Sequence, residues 1–274
     1  MELFVDSASL DEISHALDTG VLDGVTTNPS KMKEAVELVK KQGKKVSLTA
    51  YIKQLCRMCK GLPVSLEVIG ASYEDLVREG LLLHRMFNPV AKNVVVKIPV
   101  NPQFDTEKHR VHDGIKAIRS LSKKGVRVNC TLVFTPEQAL LAAKAGAQFV
   151  SPFCGRLDDY IRSSHGMKFS KGEYYPAEGK KRWAKQWNDQ GVVSGIDLVA
   201  QCVEIFDVHG IKTKVLAASI RNVRQLREAA VVGAHCATMS LETLEAALVH
   251  PKTEQGMKKF SDDVVPEYAS LFKK

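Results

Sequence analysis

Residues 93–99 read Asn-Val-Val-Val-Lys-Ile-Pro (NVVVKIP), a run of β-branched residues interrupted by a single lysine. Side chains alternate between the two faces of a strand, so Lys97 shares a face with Val95 and lies opposite to Val96. Valine-rich runs of this kind are typical of central strands in parallel sheets, which are buried on both faces. The stretch therefore predicts a parallel α/β fold in which Lys97 points into the protein interior.

Seven similar apolar runs flank this one, and most of the intervals between them have helical periodicity. The predicted strands are residues 3–5, 24–27, 63–68, 94–98, 127–133, 148–151, 214–218 and 235–238. Alternation of this kind over 274 residues is the pattern of a (β/α)₈ TIM barrel, with a doubly wound open sheet as the main rival. Because no glycine-, serine- or proline-rich linker divides the chain, we predict a single domain over residues 1–274.

Composition indicates a globular protein with anionic partners. Hydrophobic residues make up 45% and charged residues 26%, and 39 basic against 31 acidic residues give a net charge of +8. No apolar run approaches the roughly 20 residues of a membrane span, and the start lacks a signal peptide. We therefore expect a cytoplasmic protein without a membrane partner, whose Cys56 and Cys59 pack on a helix face instead of binding a metal.

Two stretches look like insertions into the barrel, residues 101–113 and residues 160–191. The second combines basic residues with aromatic residues such as Phe169 and Trp183. Such a mixture can bind nucleic acid. The position favours a lid or a subunit contact instead, because the loops that follow barrel strands surround the active site.

Polar residues stand at the carboxyl ends of the predicted strands, where a barrel gathers them in one ring around a pocket. They are Asp6, Thr27, Asn28, Glu67, Lys97, Asn129, Thr131, Ser151, Ser219 and Thr238. For any single serine or threonine, a satisfied polar strand end is an equally good explanation. A lysine and two acids on buried strands are harder to explain in that way.

Burial of Lys97 would disfavour its charged form, and the neutral amine is able to attack a carbonyl and form a Schiff base. Such chemistry on a ketose needs groups that move protons, and Asp6 and Glu67 are available. The competing explanation is a structural ion pair of Lys97 with one of these acids. Paired-carboxylate glycosidase chemistry is a further alternative, but it leaves the lysine without a role.

The sequence contains neither of the two glycine-rich nucleotide-binding motifs. It does contain Arg156 in FCGRLDD, and Ser219 with Arg221 in LAASIRN at the head of a predicted helix. Arginine and helix N-terminal amides bind anionic oxygens, and the late strands of barrels often form phosphate sites. The alternative is that the two arginines are ordinary surface residues, so this anion site is a hypothesis.

At these residues the sequence resembles the transaldolase family, in its short-chain branch with fructose-6-phosphate aldolases. The resemblance covers nearly the whole chain and rests on motifs in a fixed order. They are FVDSAS (4–9), GVTTNPS (24–30), VSLEV (64–68), VVVKIP (94–99), VNCTLVF (128–134), SPFCGRLDD (151–159), LAASIRN (216–222) and GAHCATM (233–239).

The resemblance implies a Schiff base on Lys97, proton transfer at the ketose C4 hydroxyl by Asp6, and a catalytic water held by Glu67 with Thr131. It implies two groups of binding residues: Asn28, Asn129 and Ser151 for the dihydroxyacetone hydroxyls, and Arg156, Ser219 and Arg221 for the terminal phosphate. It implies no metal and no organic cofactor. It also implies a homo-oligomer in which residues 252–274 dock on a neighbouring subunit.

Two positions separate activities within the family, since transaldolases carry Glu and Phe where the aldolases carry Gln and Tyr. This chain has Glu67 and Phe153. We therefore predict a transaldolase of the pentose phosphate pathway that moves a dihydroxyacetone unit from a ketose phosphate to an aldose phosphate. The alternatives are an aldolase that releases dihydroxyacetone, a transaldolase for a sulfonated ketose such as 6-deoxy-6-sulfofructose, and a basic scaffold for nucleic acid or protein. Small anionic sugars are the partners that we expect, without nucleic acid.

Overall fold

A computed structural model describes residues 1–41, 43, 47–103 and 110–272. Eight parallel strands close into a barrel in the order β1-β2-β3-β4-β5-β6-β9-β10, and strands β7 and β8 form a separate two-stranded hairpin. Their bounds are Glu2–Asp6 (β1), Gly24–Thr26 (β2), Val64–Glu67 (β3), Val94–Pro99 (β4), Val128–Val133 (β5), Phe149–Pro152 (β6), Lys214–Ile220 (β9) and Cys236–Met239 (β10). The closed sheet confirms the predicted (β/α)₈ barrel and its single domain, and it excludes the doubly wound alternative.

Helices surround the barrel, and side-chain caps at the first turn mark the start of two of them. The Ser9 hydroxyl caps the first helix, and Thr135 with Gln138 forms a capping box at the sixth, with Pro136 in its first turn. The helices are Leu10–Asp18 (α1), Pro29–Lys41 (α2), Leu48–Met58 (α3), Tyr73–Ala91 (α4), Asp113–Lys123 (α5), Pro136–Ala145 (α6), Cys154–Ser164 (α7), Gly195–Val208 (α8), Val223–Val231 (α9), Leu241–Ala246 (α10), Pro251–Asp262 (α11) and Pro266–Ser270 (α12).

The hydrophobic core has two layers, and β4 contributes to both. Val94, Val96 and Ile98 pack in the large layer between strands and helices, whereas Val95 belongs to a separate cluster. The buried members of that inner cluster are Phe4, Val95, Phe149, Phe153, Leu216, Ala218 and Cys236. The alternation predicted for residues 93–99 is therefore confirmed, and Lys97 shares the inner face with Val95.

The two predicted insertions have different structures, and their status as insertions stays a prediction. Residues 160–164 complete α7, and a hairpin of β7 (Lys181–Arg182) and β8 (Lys185–Gln186) follows before α8. Arg162 anchors this segment, because its guanidinium lies 4.3 Å from the Phe169 ring centre and donates to the Glu173 carbonyl oxygen. In the range 101–113, residues 104–109 lie outside the described part of the chain.

Helices α11 and α12 contain no buried residue. Their exposed apolar side chains include Met257, Phe260 and Tyr268, and Phe272 follows. The predicted docking of residues 252–274 on a neighbour stays a prediction, and residues 273 and 274 lie beyond the described chain. Among the described residues, no helix combines the length and apolar character that crossing a membrane requires.

Candidate active site

Lys97 lies inside the barrel and is 5% exposed. Strand register places it beside Glu67, and its Nζ atom is 3.1 Å from Glu67 Oε2. The same Nζ donates a hydrogen bond to the Thr27 carbonyl oxygen, also at 3.1 Å. The ion pair of Lys97 with an acid, which the sequence left open as a competing explanation, is therefore present and involves Glu67. A contact of this kind also gives the amine a proton acceptor within direct reach, so it does not exclude a nucleophilic role.

Asp6 ends β1 on the inner face, and Thr26 holds its carboxylate. The Thr26 hydroxyl lies 2.8 Å from Asp6 Oδ1 and 2.7 Å from the hydroxyl of Thr238. These contacts link β1, β2 and β10 across the barrel interior. Thr26 was not predicted to belong to the site, although the alternation that places Lys97 inside also places Thr26 on the inner face of β2.

A chain of buried polar side chains crosses β3, β5 and β6. The Ser151 hydroxyl donates to Asn129 Oδ1 at 2.7 Å, and Asn129 Nδ2 donates to the Ser65 hydroxyl at 3.3 Å. Thr131 is fully buried, and its hydroxyl has no hydrogen-bond partner among the described residues. Since buried hydroxyls are normally paired, Thr131 has capacity to bind a water or a substrate group. Ser65 was not predicted.

Asn28 follows β2 and is half-buried. Its Oδ1 atom accepts a hydrogen bond from the Lys31 backbone amide at 3.0 Å, which caps the start of α2. This structural role accounts for one polar atom of the side chain.

Backbone irregularities occur directly at two strand ends of the site. Leu132, next to Thr131, and Ser219 have φ values of 57° and 58°. The ladder between β5 and β6 shifts register between Cys130 and Val133. Left-handed conformations at residues other than glycine cost about 1–3 kcal/mol and concentrate at functional sites. At this rim they redirect the chain as it leaves the barrel.

The predicted anion residues lie on α7 (Arg156), near the end of β9 (Ser219) and on the loop between β9 and α9 (Arg221). Arg156 is exposed, and its guanidinium lies 5.0 Å from the Phe153 ring centre. Arg221 Nη1 lies 2.6 Å from Asp159 Oδ2, but it makes no aligned hydrogen bond with the described residues. A side chain at Gly155 would overlap Arg221 and the Ser219 carbonyl oxygen, so glycine allows α7 to approach this loop.

Beneath the arginines is a buried polar layer that was not predicted from the sequence. Asp158 is 2% exposed, and its two carboxylate oxygens accept hydrogen bonds from the Gly195 amide at 2.7 Å and from Gln225 Nε2 at 2.9 Å. Burial raises the pKa of Asp158 to about 7, although the Gly195 hydrogen bond and the guanidinium groups of Arg162 and Arg221 oppose this shift.

The cysteine pair predicted to pack on a helix is buried in α3 and at its end. Burial raises the pKa of Cys56 to about 11 and that of Cys59 to about 12, so both thiols stay protonated near neutral pH. Over the described ranges, no cluster of three or more histidine, cysteine or acidic side chains is placed to bind a metal ion.

The barrel brings Lys97, Glu67 and Asp6 to one rim, together with the hydroxyl and amide groups of the neighbouring strands. A buried amine paired with a carboxylate, with a second carboxylate at another strand end of the same rim, defines an enzyme-like (β/α)₈ site. The family model for "Transaldolase/Fructose-6-phosphate aldolase" matches residues 3–273. The chain belongs to this family.

Individual relatives agree with the family model. A "Probable transaldolase" from Phocaeicola vulgatus is 42% identical over 264 residues, and one from Bacteroides thetaiotaomicron is 41% identical over 264 residues. A third, from Leptospira biflexa, is 37% identical over 263 residues. Each comparison covers 96% of this chain and 97% of the relative.

Proposed function

We propose that this protein is a transaldolase that carries a dihydroxyacetone unit on Lys97 from a ketose phosphate to an aldose phosphate. The observation that carries the proposal is the environment of the Lys97 amine. It is buried on the inner face of the barrel, 3.1 Å from Glu67 Oε2. The names of the relatives and the family model support the same reaction type.

The reaction begins when Glu67, directly or through a water, takes a proton from the Lys97 ammonium. The neutral amine then attacks the C2 carbonyl carbon of the ketose to form a carbinolamine. Loss of the C2 hydroxyl as water, with a proton returned from Glu67, leaves an iminium ion. The unpaired hydroxyl of Thr131 is suited to hold the water that shuttles these protons.

Asp6 next takes the proton of the C4 hydroxyl, and the C3–C4 bond breaks as its electrons move into the iminium. An aldose phosphate leaves, and a three-carbon enamine stays on Lys97. When an acceptor aldose binds, the enamine carbon attacks its aldehyde carbon and the new alkoxide recovers the proton from Asp6. Hydrolysis of the iminium releases the product ketose and restores the lysine. Thr26 orients Asp6 throughout, through its 2.8 Å hydrogen bond.

The sugar's other polar groups have partners within the same rim. We propose that Asn28, Asn129 and Ser151 bind the hydroxyls of the three-carbon unit. Arg156, Ser219 and Arg221 would bind the terminal phosphate, or the sulfonate of an analogous ketose. The exposed guanidinium of Arg156 and the incompletely hydrogen-bonded guanidinium of Arg221 support this assignment. No metal or organic cofactor takes part in the proposed cycle.

Transfer is favoured over release of free dihydroxyacetone because the site carries Phe153 where a hydroxyl would help to protonate the enamine and so allow water to attack the resulting iminium carbon. Phe153 packs against Phe134, with ring centres 5.8 Å apart. We further propose a cytoplasmic homo-oligomer of the pentose phosphate pathway that uses residues 252–274 as a subunit contact. Residues 101–113 and 160–191 would be insertions that shape access to the site.

The proposal is tested by trapping the covalent intermediate. Incubation with fructose 6-phosphate and borohydride should attach a three-carbon unit to Lys97, identified by peptide mass spectrometry. Lys97→Met should abolish both trapping and transfer, which are read as ketose formation from erythrose 4-phosphate. Loss of a covalent nucleophile removes the intermediate itself, so the decrease in rate should be at least about a thousandfold.

Lys116→Met is a matched control, because Lys116 is exposed on α5. This variant should behave as wild type. Dihydroxyacetone released at the same rate with and without an acceptor would identify an aldolase. Transfer that persists in Lys97→Met would overturn the Schiff-base assignment.

A further inference from the structure

Two separate elements carry the proposed anion site, and its geometry depends on how they are joined. Arg156 lies in the first turn of α7, whereas Arg221 lies in the loop that connects β9 with α9. An anionic group held by both arginines requires a fixed separation between these elements. The two arginines are far apart in the chain, so noncovalent contacts must set that separation.

Asp158 connects the two elements through buried hydrogen bonds. It belongs to α7, and its Oδ2 atom accepts from Gln225 Nε2 at 2.9 Å. Gln225 is buried in the first turn of α9, and its Oε1 atom accepts the backbone amide of Arg221 at 3.0 Å. The second oxygen of Asp158 accepts the Gly195 amide at the start of α8.

We infer that Asp158 is a positioning residue that fixes Arg221 relative to Arg156 and so sets the affinity for the anionic end of the sugar. The inference rests on the proposed function and assigns this role to a residue two positions beyond Arg156. Asp158 acts through Gln225 and does not touch substrate. Its neighbour Asp159 contacts the guanidinium of the same arginine, so α7 holds both the backbone and the side chain of Arg221.

The direction of the hydrogen bonds makes the inference testable. Asp158 accepts hydrogen bonds from two donors. Gln225 donates one of them through Nε2, and its Oε1 atom accepts the hydrogen bond of the Arg221 amide. Asparagine at position 158 accepts only one of these bonds, because its Nδ2 is a donor. Rotation of the Gln225 amide would satisfy that asparagine but would place Nε2 against the Arg221 N–H. Each arrangement leaves two donors facing each other, and a buried unpaired donor is costly.

The experiment measures steady-state transfer by the full-length Asp158→Asn variant above pH 8, with fructose 6-phosphate and with unphosphorylated fructose as donors. We expect the KM for fructose 6-phosphate to rise about tenfold. The kcat/KM for fructose should change less than twofold. Asp158→Asn combined with Gln225→Glu should restore the low KM, because the new carboxylate accepts from both the substituted asparagine and the Arg221 amide.

Glu2→Gln serves as a control for general destabilisation, because Glu2 pairs with Lys214. Glu2→Gln should leave the ratio of the KM values for fructose 6-phosphate and fructose unchanged, even if its melting temperature falls as far as that of Asp158→Asn. If Asp158→Asn does not fold, Gln225→Met breaks the same connection from the other side. An unchanged KM ratio in the folded variants, or a high KM that the double variant does not restore, would overturn the inference.

Failure of the proposed function would give a different result, namely no turnover of any ketose phosphate by the wild type. Titration calorimetry with inorganic phosphate then replaces the kinetic measurement. Weaker phosphate binding in Asp158→Asn, restored in the double variant, would support the positioning role without the reaction. Equal phosphate affinity in all three proteins would refute it.

Discussion

The two ends of the candidate site are built differently. At the Lys97 end the polar groups lie on adjacent barrel strands and contact one another directly, as Lys97 and Glu67 do at 3.1 Å. At the anion end Arg221 lies in a loop, and acids of α7 hold it. Strand register therefore fixes the reacting groups, whereas hydrogen bonds between helix ends fix the arginines. Substitutions at the first end should alter the rate of the chemical step, and those at the second should alter affinity.

The largest effect is expected at the Lys97 end. Glu67→Gln keeps the shape of the side chain but removes the proton acceptor beside the amine, so the transfer rate should fall about a hundredfold or more. Phosphate affinity, measured by titration calorimetry, should stay unchanged. Glu74→Gln on α4 is an exposed control that should have wild-type activity. Wild-type transfer by Glu67→Gln would show that another group moves the protons.

A smaller effect is expected at the anion end. Arg221→Ala removes a charge-assisted contact, so the KM for fructose 6-phosphate should rise about 10- to 100-fold. The kcat/KM for unphosphorylated fructose should be nearly unchanged. Arg227→Ala, an exposed arginine of α9, is the matched control. A decrease of kcat with both donors would instead mean that the two ends are not separable.

The smallest effect concerns the stability of the layer beneath the arginines. Burial raises the pKa of Asp158 to about 7, whereas an unfolded aspartate titrates near 3.9. The folded chain therefore binds more protons between these values, and this contribution to the free energy of unfolding is lost as the pH rises. In urea unfolding, wild type should lose about 2 kcal/mol of its free energy of unfolding relative to Asp158→Asn between pH 5 and pH 7. If the free energies of unfolding of the two proteins changed in parallel with pH, the raised pKa of the buried Asp158 carboxyl would be contradicted.

Most of the fold could be predicted because strand and helix periodicities coincide with burial. The run at residues 93–99 predicted two buried faces, and the core has Val95 and Val96 in different layers. The conformation of residues 165–194 could not be predicted in this way, because irregular backbone has no period. Its anchor, Arg162 against Phe169, depends on tertiary contacts alone.

The site could be predicted in part, for the same reason. Lys97 and Glu67 meet because strand ends converge in a barrel, and alternation alone identifies the inner face. Thr26 obeys the same rule, but the polar pair Thr27 and Asn28 marks the end of the predicted strand, so Thr26 was not among the predicted residues of the rim. Asp158 lies within helix α7 and not at a strand end, and its partner Gln225 lies in helix α9. Their hydrogen bond therefore follows only from the folded structure.

The hairpin of β7 and β8 and the residue that follows it carry both tryptophans of the protein, which makes this segment a natural fluorescent probe. Of its two tryptophans, Trp183 at the turn is 92% exposed, while Trp187 stacks on His165 with ring centres 4.7 Å apart. One indole emits in water and the other beside an imidazole, so the two contribute distinguishable fluorescence. We therefore expect a molecule that binds to the hairpin to shift the emission of Trp183 more than that of Trp187, which allows binding to be followed without an attached dye.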